Sequence, residues 1–443
     1  MTVRQDFEEF LSEIYLKKIY TEHIVYSPAQ GIDNLNQKQF NKILDDQIEI
    51  ISRKTLNGTY KFTKYKLKLI SKGKGKVPRE ISIPTIRDRI ALKALCNFLI
   101  DRYDGTIHFD IPQVLIKNLK NATMSGRYNA FIKLDVASYY PSIKHKELKL
   151  RLGRKIRNPE IKEFIEKAIK TATVIKSFKH DKENSEGIPQ GLSISNILAA
   201  IYLINIDKTL SALSEVKYFR YVDDILILCD ERDVKTITQK VILLFKKIGL
   251  TIHDPEKVPE KSVVGKIGDE FSYLGYLFKG PLTSARTNSV LKLKESIVSI
   301  FSGYKHSKIK SKKFLEWRLN LRITGCIFQN KSKGWLFFFS EMNDESLLHE
   351  LDHYVVILMT RFRVTIQPKK FVRSYFQIKH HKYRTKYVPN FDKYDLKMMK
   401  KVLVEYFNKS IKHLTDQEIE YEFKKRIDRQ VRDLLTDVMD FGY

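Results

Sequence analysis

FRYVDDILIL (residues 219–228) places short apolar runs on both sides of two adjacent carboxylates, Asp223 and Asp224. Apolar runs of this length are typical of buried strands, so the sequence predicts a hairpin with both acids at its tip. Like charges this close repel, and such a pair is stable mainly when a cation neutralises it. The alternative is an ordinary polar turn, in which aspartate is common.

A third acid, Asp135, lies upstream in FIKLDV (residues 131–136), which is typical of a buried strand. An acid in a buried strand is costly unless it is paired or bound to a metal. Acids at the ends of neighbouring strands would suit two Mg²⁺ ions about 3.5–4 Å apart, because Mg²⁺ prefers oxygen ligands. The alternative is that Asp135 caps the helix that follows.

The segments around these acids alternate between strand and helix patterns. Two helical segments are predicted over residues 146–171, a long apolar helix over 192–213, and an amphipathic helix over 233–248 that Gly249 ends. Strand, helices, hairpin, helix and strand is the order of a ferredoxin-like α+β unit.

Taken together, these motifs resemble those of reverse transcriptases, in the same order along the chain. Asp135 with its context resembles motif A, GIPQGLS (residues 187–193) resembles motif B, and YVDD (residues 221–224) resembles motif C. PREISIP (residues 78–84) and the following RDRI are similar to the fingers motifs of group II intron and retron-like enzymes. The resemblance implies an α+β right-hand polymerase with fingers, a ferredoxin-like palm and a helical thumb.

The resemblance also assigns metal ligands. Asp135, Asp223 and Asp224 match the catalytic carboxylates, and the backbone carbonyl of Val136 is expected to complete the site. The implied cofactor is Mg²⁺, as two ions, for which Mn²⁺ is able to substitute.

Four residues match the nucleotide-binding positions of the family, and Lys72 is expected to assist them. Arg79 corresponds to the arginine that contacts the triphosphate, a role that suits its planar guanidinium. Lys72 would assist from a Gly/Lys-rich loop, and the alternative is that this lysine belongs to an ordinary solvated loop. Tyr140 stands where the family keeps an aromatic ring that excludes a 2′-hydroxyl; the alternative is a core aromatic residue. Gln190 and Gly191 match the turn that lines the nucleotide pocket.

Two further motifs follow the hairpin. GLTIHDPEK (residues 249–257) resembles motif D, and its last residue, Lys257, would be the general acid, although a surface lysine is the competing interpretation. FSYLGY resembles motif E, which implies a primer grip at Tyr273, Leu274 and Gly275.

The composition favours a nucleic-acid-binding protein. The 443 residues include 80 Lys and Arg against 52 Asp and Glu, a net charge of +28 that attracts polyanions. Cys96, Cys229 and Cys326 are too dispersed for a zinc motif and predict buried, reduced thiols. The expected partners are an RNA template, a DNA product and dNTPs, with a homo-oligomer or an accessory effector protein as further candidates. No apolar run is long enough to span a membrane, so a cytoplasmic location is expected.

The sequence predicts three domains: N-terminal helices and fingers over 1–125, a palm over 126–284, and a helical thumb with a nucleic-acid-binding extension over 285–443. No strong strand pairing is expected in the last of them. RITGCIF and GWLFFF (residues 322–328 and 334–339) resemble bacterial defence-associated "unknown group" enzymes, so the expected role is copying a noncoding RNA in anti-phage defence. A retron enzyme, template-independent or protein-primed synthesis, and a non-catalytic RNA-binding scaffold are the alternatives.

Overall fold

The computed structural model covers nearly the whole chain. Among the residues that it describes, no helix is both long and apolar enough to cross a membrane. The described residues are 2–71, 75, 77–178, 180–382 and 384–438.

The chain folds into two compact units, and each is built from separate stretches of sequence. The first unit comprises Met1–Phe109 and Arg127–Gly265, and the second comprises Asp110–Gly126 and Lys266–Tyr443. The three functional domains expected from the sequence stay a prediction.

Helices occur throughout both units and are numbered in chain order. They are α1 (Val3–Phe10), α2 (Glu13–Ile19), α3 (Gln37–Asn41), α4 (Leu44–Leu56), α5 (Ile86–Arg102), α6 (Pro112–Met124), α7 (His145–Leu152), α8 (Pro159–Lys170), α9 (Ser195–Ser211), α10 (Val234–Lys247), α11 (Thr287–His306), α12 (Lys312–Thr324), α13 (Trp335–Phe338), α14 (Glu345–Arg361), α15 (Phe371–His381), α16 (Leu396–Glu405) and α17 (Asp416–Leu435).

The strands are mostly short. They are β1 (Tyr65–Ile70), β2 (Arg79–Ile83), β3 (Ala130–Ala137), β4 (Thr173–Val174), β5 (Lys217–Tyr221), β6 (Asp224–Cys229), β7 (Thr251–Ile252), β8 (Val263–Lys266), β9 (Phe271–Tyr273), β10 (Tyr276–Lys279), β11 (Leu282–Ala285), β12 (Cys326–Phe328) and β13 (Lys331–Lys333).

The main sheet of the first unit carries the acidic motifs. Its strand order is β5-β6-β3-β7, with antiparallel neighbours, and β8 also pairs with β3. Helices α7, α8 and α9 lie between β3 and β5 in the chain, and α10 lies between β6 and β7, which is the predicted ferredoxin-like order. Residues 225–229 of β6 are fully buried, which explains their unbroken apolar run.

Helix α5 is central to the core of the first unit. It begins after β2, where the Thr85 hydroxyl accepts a hydrogen bond from the Asp88 N–H at 3.2 Å. It packs against α1, α2, α4 and α9. Because neighbours surround it, its apolar residues occur on all sides rather than along one stripe. A smaller sheet of order β2-β1-β4 belongs to the same unit.

The second unit is mainly helical and contains two small antiparallel sheets, β9-β10-β11 and β12-β13. The expectation of no strong strand pairing beyond residue 285 is therefore wrong. The strands β12 and β13 are only three residues long, too short to show alternation, and their turn contains no glycine. Gln329 and Asn330 form this turn at φ +54° and +56°, and the Asp392 carboxylate accepts both of their N–H groups at 2.7 and 2.8 Å.

The three cysteines are buried and free, as predicted. Burial raises the thiol pKa of Cys96, Cys229 and Cys326, so these thiols are poor nucleophiles.

Candidate active site

Asp135 and Asp224 face each other across two neighbouring strands. In the antiparallel pair formed by β3 and β6 they are register partners. Directly opposed residues in such a pair have Cα atoms about 4.5–5.5 Å apart and side chains on the same face. The sheet therefore brings together acids from distant parts of the chain, and Asp223 adjoins them in the turn between β5 and β6.

The turn that carries Asp223 has a strained backbone. Tyr221 pairs with Asp224, which leaves Val222 and Asp223 as a two-residue turn. Val222 has φ +55°, a left-handed conformation that β-branched residues rarely adopt. Such a residue costs on the order of 1–3 kcal/mol and persists only where its surroundings hold it in place.

The Asp223 carboxyl lies in a desolvated, acidic environment. Burial raises its pKa above the ordinary value, and the neighbouring Asp135 raises it further, whereas its own backbone N–H, Arg79 and Arg220 oppose the rise. The charged carboxylate is therefore less stable here than that of an exposed aspartate. A cation bound beside these acids would relieve both the burial and the repulsion.

Arg220 in β5 holds the turn against helix α9. Its guanidinium donates to both carboxylate oxygens of Asp207, with Nε–Oδ1 at 2.7 Å and Nη2–Oδ2 at 2.5 Å, and Nη1 donates to the Val222 carbonyl at 2.8 Å. The Tyr218 hydroxyl also donates to Asp207, at 2.9 Å. Although burial alone would lower the pKa of Arg220, the bonds to Asp207 raise it well above the ordinary value, so the guanidinium stays charged.

Asp135 lies inside strand β3, which excludes the helix-cap alternative; the next helical turn is the 3₁₀ segment Tyr140–Ser142. Its N–H donates to Ser262 Oγ at 3.1 Å, and its carbonyl accepts the His253 N–H at 3.0 Å. Its Oδ2 atom lies 3.7 Å from His253 Nε2 and 4.0 Å from Lys261 Nζ. These two distances are too long for direct hydrogen bonds.

Tyr140 is half-buried near Asp223. Its hydroxyl donates to Asn196 Oδ1 at 2.5 Å, and burial, with a further contribution from Asp223, raises its pKa well above the ordinary value. Tyr139 is the core aromatic residue of this pair, since it is only 3% exposed and donates to the Ala199 carbonyl at 2.6 Å. The two neighbouring tyrosines therefore have different surroundings.

The GIPQGLS loop is fixed to the backbone that carries Tyr140. The N–H groups of Gly187 and Ile188 donate to the carbonyls of Ile143 and Tyr140 at 2.8 and 2.9 Å. At Gly187 the φ angle is +81°, and a Cβ atom would lie 2.9 Å from the Pro141 carbonyl oxygen. A glycine is therefore required at this contact.

Gly191 allows the same loop to touch strand β2. Its φ is +100°, and a Cβ atom would lie 2.8 Å from Ile81 Cγ2 and 3.0 Å from the Ser82 carbonyl oxygen. The Gln190 carbonyl accepts the Ser82 N–H at 2.7 Å. The loop thus joins the segment of Tyr140 to the strand that begins at Arg79.

The other predicted residues of the first unit differ in their surroundings. Arg79 is exposed but close enough to oppose the pKa rise of Asp223. Val136 is buried at 3% exposure in β3. Lys257 is exposed in a turn, where its N–H donates to the Asp254 carbonyl at 3.0 Å, and its role as general acid stays a prediction. Lys72 lies outside the described residues.

The predicted primer-grip residues form a hairpin tip in the second unit. Tyr273 pairs with Tyr276 across β9 and β10. Leu274 and Gly275 have φ values of +47° and +81°, which is the pattern of a type I′ turn. Tyr273 and Leu274 are buried. Their contact with a primer stays a prediction.

The acids of the first unit have the chemistry of a divalent-cation site. Among the described residues, no group of three or more His, Cys, Asp or Glu is arranged to hold a metal ion with the side chains as they stand. The register nevertheless sets Asp135 beside Asp224, and the half-buried Asp223 lies close enough to Asp135 to feel its charge. Carboxylate oxygens are the ligands that Mg²⁺ prefers, so the donor set fits this ion.

Sequence reasoning missed four side chains around the acids. Arg220 and Asp207 gave a usable signal, because a charge in an apolar strand or helix needs a partner. His253 and Lys261 gave none, because their proximity to Asp135 depends on how the segment after β7 folds back toward β3.

Residues 70–278 match the family described as reverse transcriptase (RNA-dependent DNA polymerase). This segment contains the three aspartates, the GIPQGLS loop and the predicted primer-grip hairpin. The resemblance to reverse transcriptases is therefore confirmed for this segment of the chain. The mixed strands and helices of the structure confirm the predicted α+β fold class.

Two curated relatives match shorter parts of the chain. Protein YkfC of Escherichia coli (strain K12) is 26% identical over 194 residues, which cover 41% of this chain and 49% of that protein. The group II intron-encoded protein LtrA of Lactococcus lactis subsp. cremoris is 25% identical over 221 residues, which cover 46% of this chain and 36% of that protein. The chain thus spans about half or less of the length of these relatives.

Among solved structures, the apo telomerase from Candida tropicalis is similar at a TM-score of 0.45 and 15% identity. The alignment covers 86% of this chain and 65% of that chain.

Proposed function

We propose that this protein is an RNA-directed DNA polymerase whose reaction centre is formed by Asp135, Asp223 and Asp224. The observation that carries the proposal is the pairing of Asp135 with Asp224 across β3 and β6, with the half-buried Asp223 in the adjoining turn. The match of residues 70–278 to reverse transcriptases supports the same reaction.

The three carboxylates, with the backbone carbonyl of Val136, would hold two Mg²⁺ ions, for which Mn²⁺ would be able to substitute. When bound, such ions lower the pKa of a primer 3′-hydroxyl and neutralise the charge on the triphosphate. The protein's own task is to keep the acids in place, and the bonds of Arg220 to Asp207 and to the Val222 carbonyl serve that task.

The incoming nucleotide would lie between strand β2 and the Tyr140 segment. Arg79, with help from Lys72, would bind the triphosphate, since a guanidinium matches phosphate geometry. Tyr140 would lie beneath the sugar and exclude a 2′-hydroxyl. Gln190 and Gly191 would line the pocket, which agrees with the close approach of their loop to β2.

Two other residue sets complete the proposal. Lys257 would protonate the leaving pyrophosphate, and Tyr273, Leu274 and Gly275 would hold the primer end. RNA as template and DNA as product agree with the net charge of +28, which favours polyanions. A second copy of the chain, or an accessory effector protein, is proposed as a further partner.

The double variant Asp223→Asn/Asp224→Asn tests the function. On a heteropolymeric RNA template, its rate of dNTP addition should fall by about 10³-fold or more, because the acids act as a unit. Its RNA affinity should persist, because the substitutions remove only negative charge. Asp45→Asn/Asp46→Asn, which alters an exposed pair of adjacent acids in α4, is the matched control. Addition at the wild-type rate by the Asp223/Asp224 variant would overturn the proposal.

Tyr140→Val tests the proposed sugar selection. Removal of the ring should let ribonucleotides enter, and the ratio of dNTP to rNTP incorporation should fall by about 10-fold or more. Tyr140→Phe keeps the ring and removes only the hydrogen bond to Asn196, so its ratio should stay near that of the wild type. An unchanged ratio in Tyr140→Val would assign this residue to packing alone.

The proposed biological role is the copying of a dedicated noncoding RNA in anti-phage defence, which rests on the resemblance of residues 322–328 and 334–339. Packing also requires a glycine at position 325 of this segment, because a Cβ atom there would lie 2.3 Å from the Lys333 carbonyl oxygen. Sequencing of the RNA and DNA that purify with the protein tests the role. One recurrent RNA with complementary DNA is expected. DNA of the same sequence after RNA removal would instead favour template-independent or protein-primed synthesis.

A further inference from the structure

A basic cavity of about 620 Å³ lies in the first unit, away from the acidic motifs. Five cationic side chains line it, and they come from α1, the end of α5 and the segment between α7 and α8. They are Arg4, Arg102, Arg154, Lys155 and Arg157.

Acidic neighbours offset only part of this charge. Arg4 donates to Glu8 at 2.7 Å and also to Glu160, and Arg102 Nη1 lies 3.9 Å from Asp6 Oδ2. Three carboxylates therefore stand against five cations, and the cavity keeps a net positive charge.

The other three cations have no carboxylate partner among the described residues. Arg154 donates to the Asn205 side-chain oxygen at 2.9 Å. Lys155 donates to Thr106 Oγ1 at 2.7 Å and to a backbone carbonyl. Arg157 is exposed and has no hydrogen-bond or ion-pair partner within the described part of the chain. These groups are available to an anion.

Two helix ends add to the positive potential. Thr2 caps α1 and Asn158 caps α8, and both capping residues line the cavity. The N-terminal end of a helix carries partial positive charge and favours anions. Guanidinium groups near helix ends suit phosphate oxygens in particular, because arginine can donate two parallel hydrogen bonds to them.

The cavity is separate from the proposed nucleotide pocket. Helix α5 follows β2, which contacts Gly191, and its other end is Arg102 in the cavity wall. A helix of 17 residues spans about 25 Å. A phosphate in the cavity is therefore not part of a triphosphate bound beside Gly191.

We propose that this cavity is a second phosphate-binding site, which anchors the phosphodiester backbone of an RNA strand on the first unit. Its ligand chemistry is a phosphate group in contact with Arg154 and Arg157, and a free polyphosphate would offer the same chemistry. The site does not depend on catalysis, so it can be tested apart from the polymerase assignment.

The test compares Arg154→Gln/Arg157→Gln with Lys208→Gln/Lys240→Gln, which removes the same charge from exposed positions of the first unit. Binding of a single-stranded RNA oligonucleotide is measured over a series of salt concentrations. The slope of log K against log salt is negative, and each lost phosphate contact reduces its magnitude by about 0.7. The slope of the cavity variant should therefore be smaller in magnitude than that of the control variant by about 1.4. For Arg157→Gln alone, which removes no described side-chain bond, the reduction should be about 0.7.

A second arm distinguishes the two sources of phosphate. Inorganic tripolyphosphate is added to each full-length variant during thermal unfolding. One outcome would overturn the RNA anchor and assign the site to a free polyphosphate. In that outcome, the cavity variant keeps the RNA-binding slope of the control, but it alone lacks the increase in Tm that tripolyphosphate gives to the other proteins. If the cavity and control variants agree in both arms, the cavity binds no phosphate and the proposal fails.

Discussion

The β5–β6 and β9–β10 hairpins both turn in two residues and place a non-glycine residue in the left-handed region, Val222 at φ +55° and Leu274 at φ +47°. In the β5–β6 hairpin, the second turn residue is Asp223, and Arg220 bonds to the turn carbonyl. In the β9–β10 hairpin, the second turn residue is Gly275, which adopts positive φ without strain.

The difference lies in what stabilises each tip. The β9–β10 tip is held by packing: Phe271 and Phe278 stack with centroids 4.9 Å apart, and Leu274 is only 4% exposed. The β5–β6 tip is held by charge, because Arg220 pairs with Asp207 of α9 and bonds to the Val222 carbonyl. These bonds offset the repulsion between the half-buried Asp223 and Asp135. Substitutions that change charge should therefore affect the β5–β6 hairpin most. Substitutions that change backbone freedom should affect the β9–β10 hairpin most.

Arg220→Gln should produce the largest effect in this comparison. It removes the bidentate bond to Asp207 and the bond to the Val222 carbonyl, so nucleotide addition should fall by about 10–100-fold, as for other residues that orient a metal site. The apparent affinity for Mg²⁺ should fall as well, and Arg220→Lys should restore part of it. Both are measured by primer extension over a Mg²⁺ series.

Arg232→Gln is the matched control, because the Arg232 side chain is 88% exposed and, within the described part of the chain, bonds only to the nearby Asp230. An Arg220→Gln protein with an unchanged Mg²⁺ requirement would show that Arg220 has a structural role alone.

Gly275→Ala should lower the free energy of unfolding by about 1–2 kcal/mol, because a residue with a side chain is strained at φ +81°. Val222→Gly, at the strained position of the other hairpin, should not destabilise in this way, because glycine relieves the left-handed strain there. Urea unfolding of both variants provides the measurement. Equal losses of stability in the two variants would remove the proposed difference between the hairpins.

The pH dependence of Asp223→Asn should show the smallest effect. Because burial raises the folded-state pKa of Asp223, the folded protein binds more protons than the unfolded chain, and this group lowers stability as pH rises from the ordinary aspartate pKa through the raised one. In EDTA, the Tm of the variant should exceed that of the wild type by a few degrees at most at pH 7. The gap should shrink toward pH 4. A lower Tm for the variant at pH 7 would contradict this account.

The sequence predicted the parts of the site that depend on local patterns. Asp223 and Asp224 follow from apolar runs that flank adjacent acids, and Asp135 follows from an acid within a strand pattern. The sequence also identifies Gly191 as part of a turn that lines the predicted nucleotide pocket. The element that approaches Gly191 is strand β2, through Ile81, and only the tertiary fold identifies it.

The parts that the sequence did not predict depend on distant packing. Asp207 and Arg220 meet only because α9 lies against β5. The β12–β13 hairpin has no glycine in its turn, and Asp392, far along the chain, satisfies its N–H groups. No local periodicity signals such partners.

The central claim is that Asp135 in strand β3 and Asp223 in the β5–β6 turn act as one catalytic unit. The most direct measurement is the single-turnover rate of the first dNTP addition on an RNA template for Asp135→Asn, Asp223→Asn and the double variant. Each single variant should lose about 10³-fold or more, and the double variant should be no more than about threefold slower than the slower single variant, because residues that act as a unit are not additive. Losses that multiply in the double variant, or a wild-type rate in Asp135→Asn, would contradict the account.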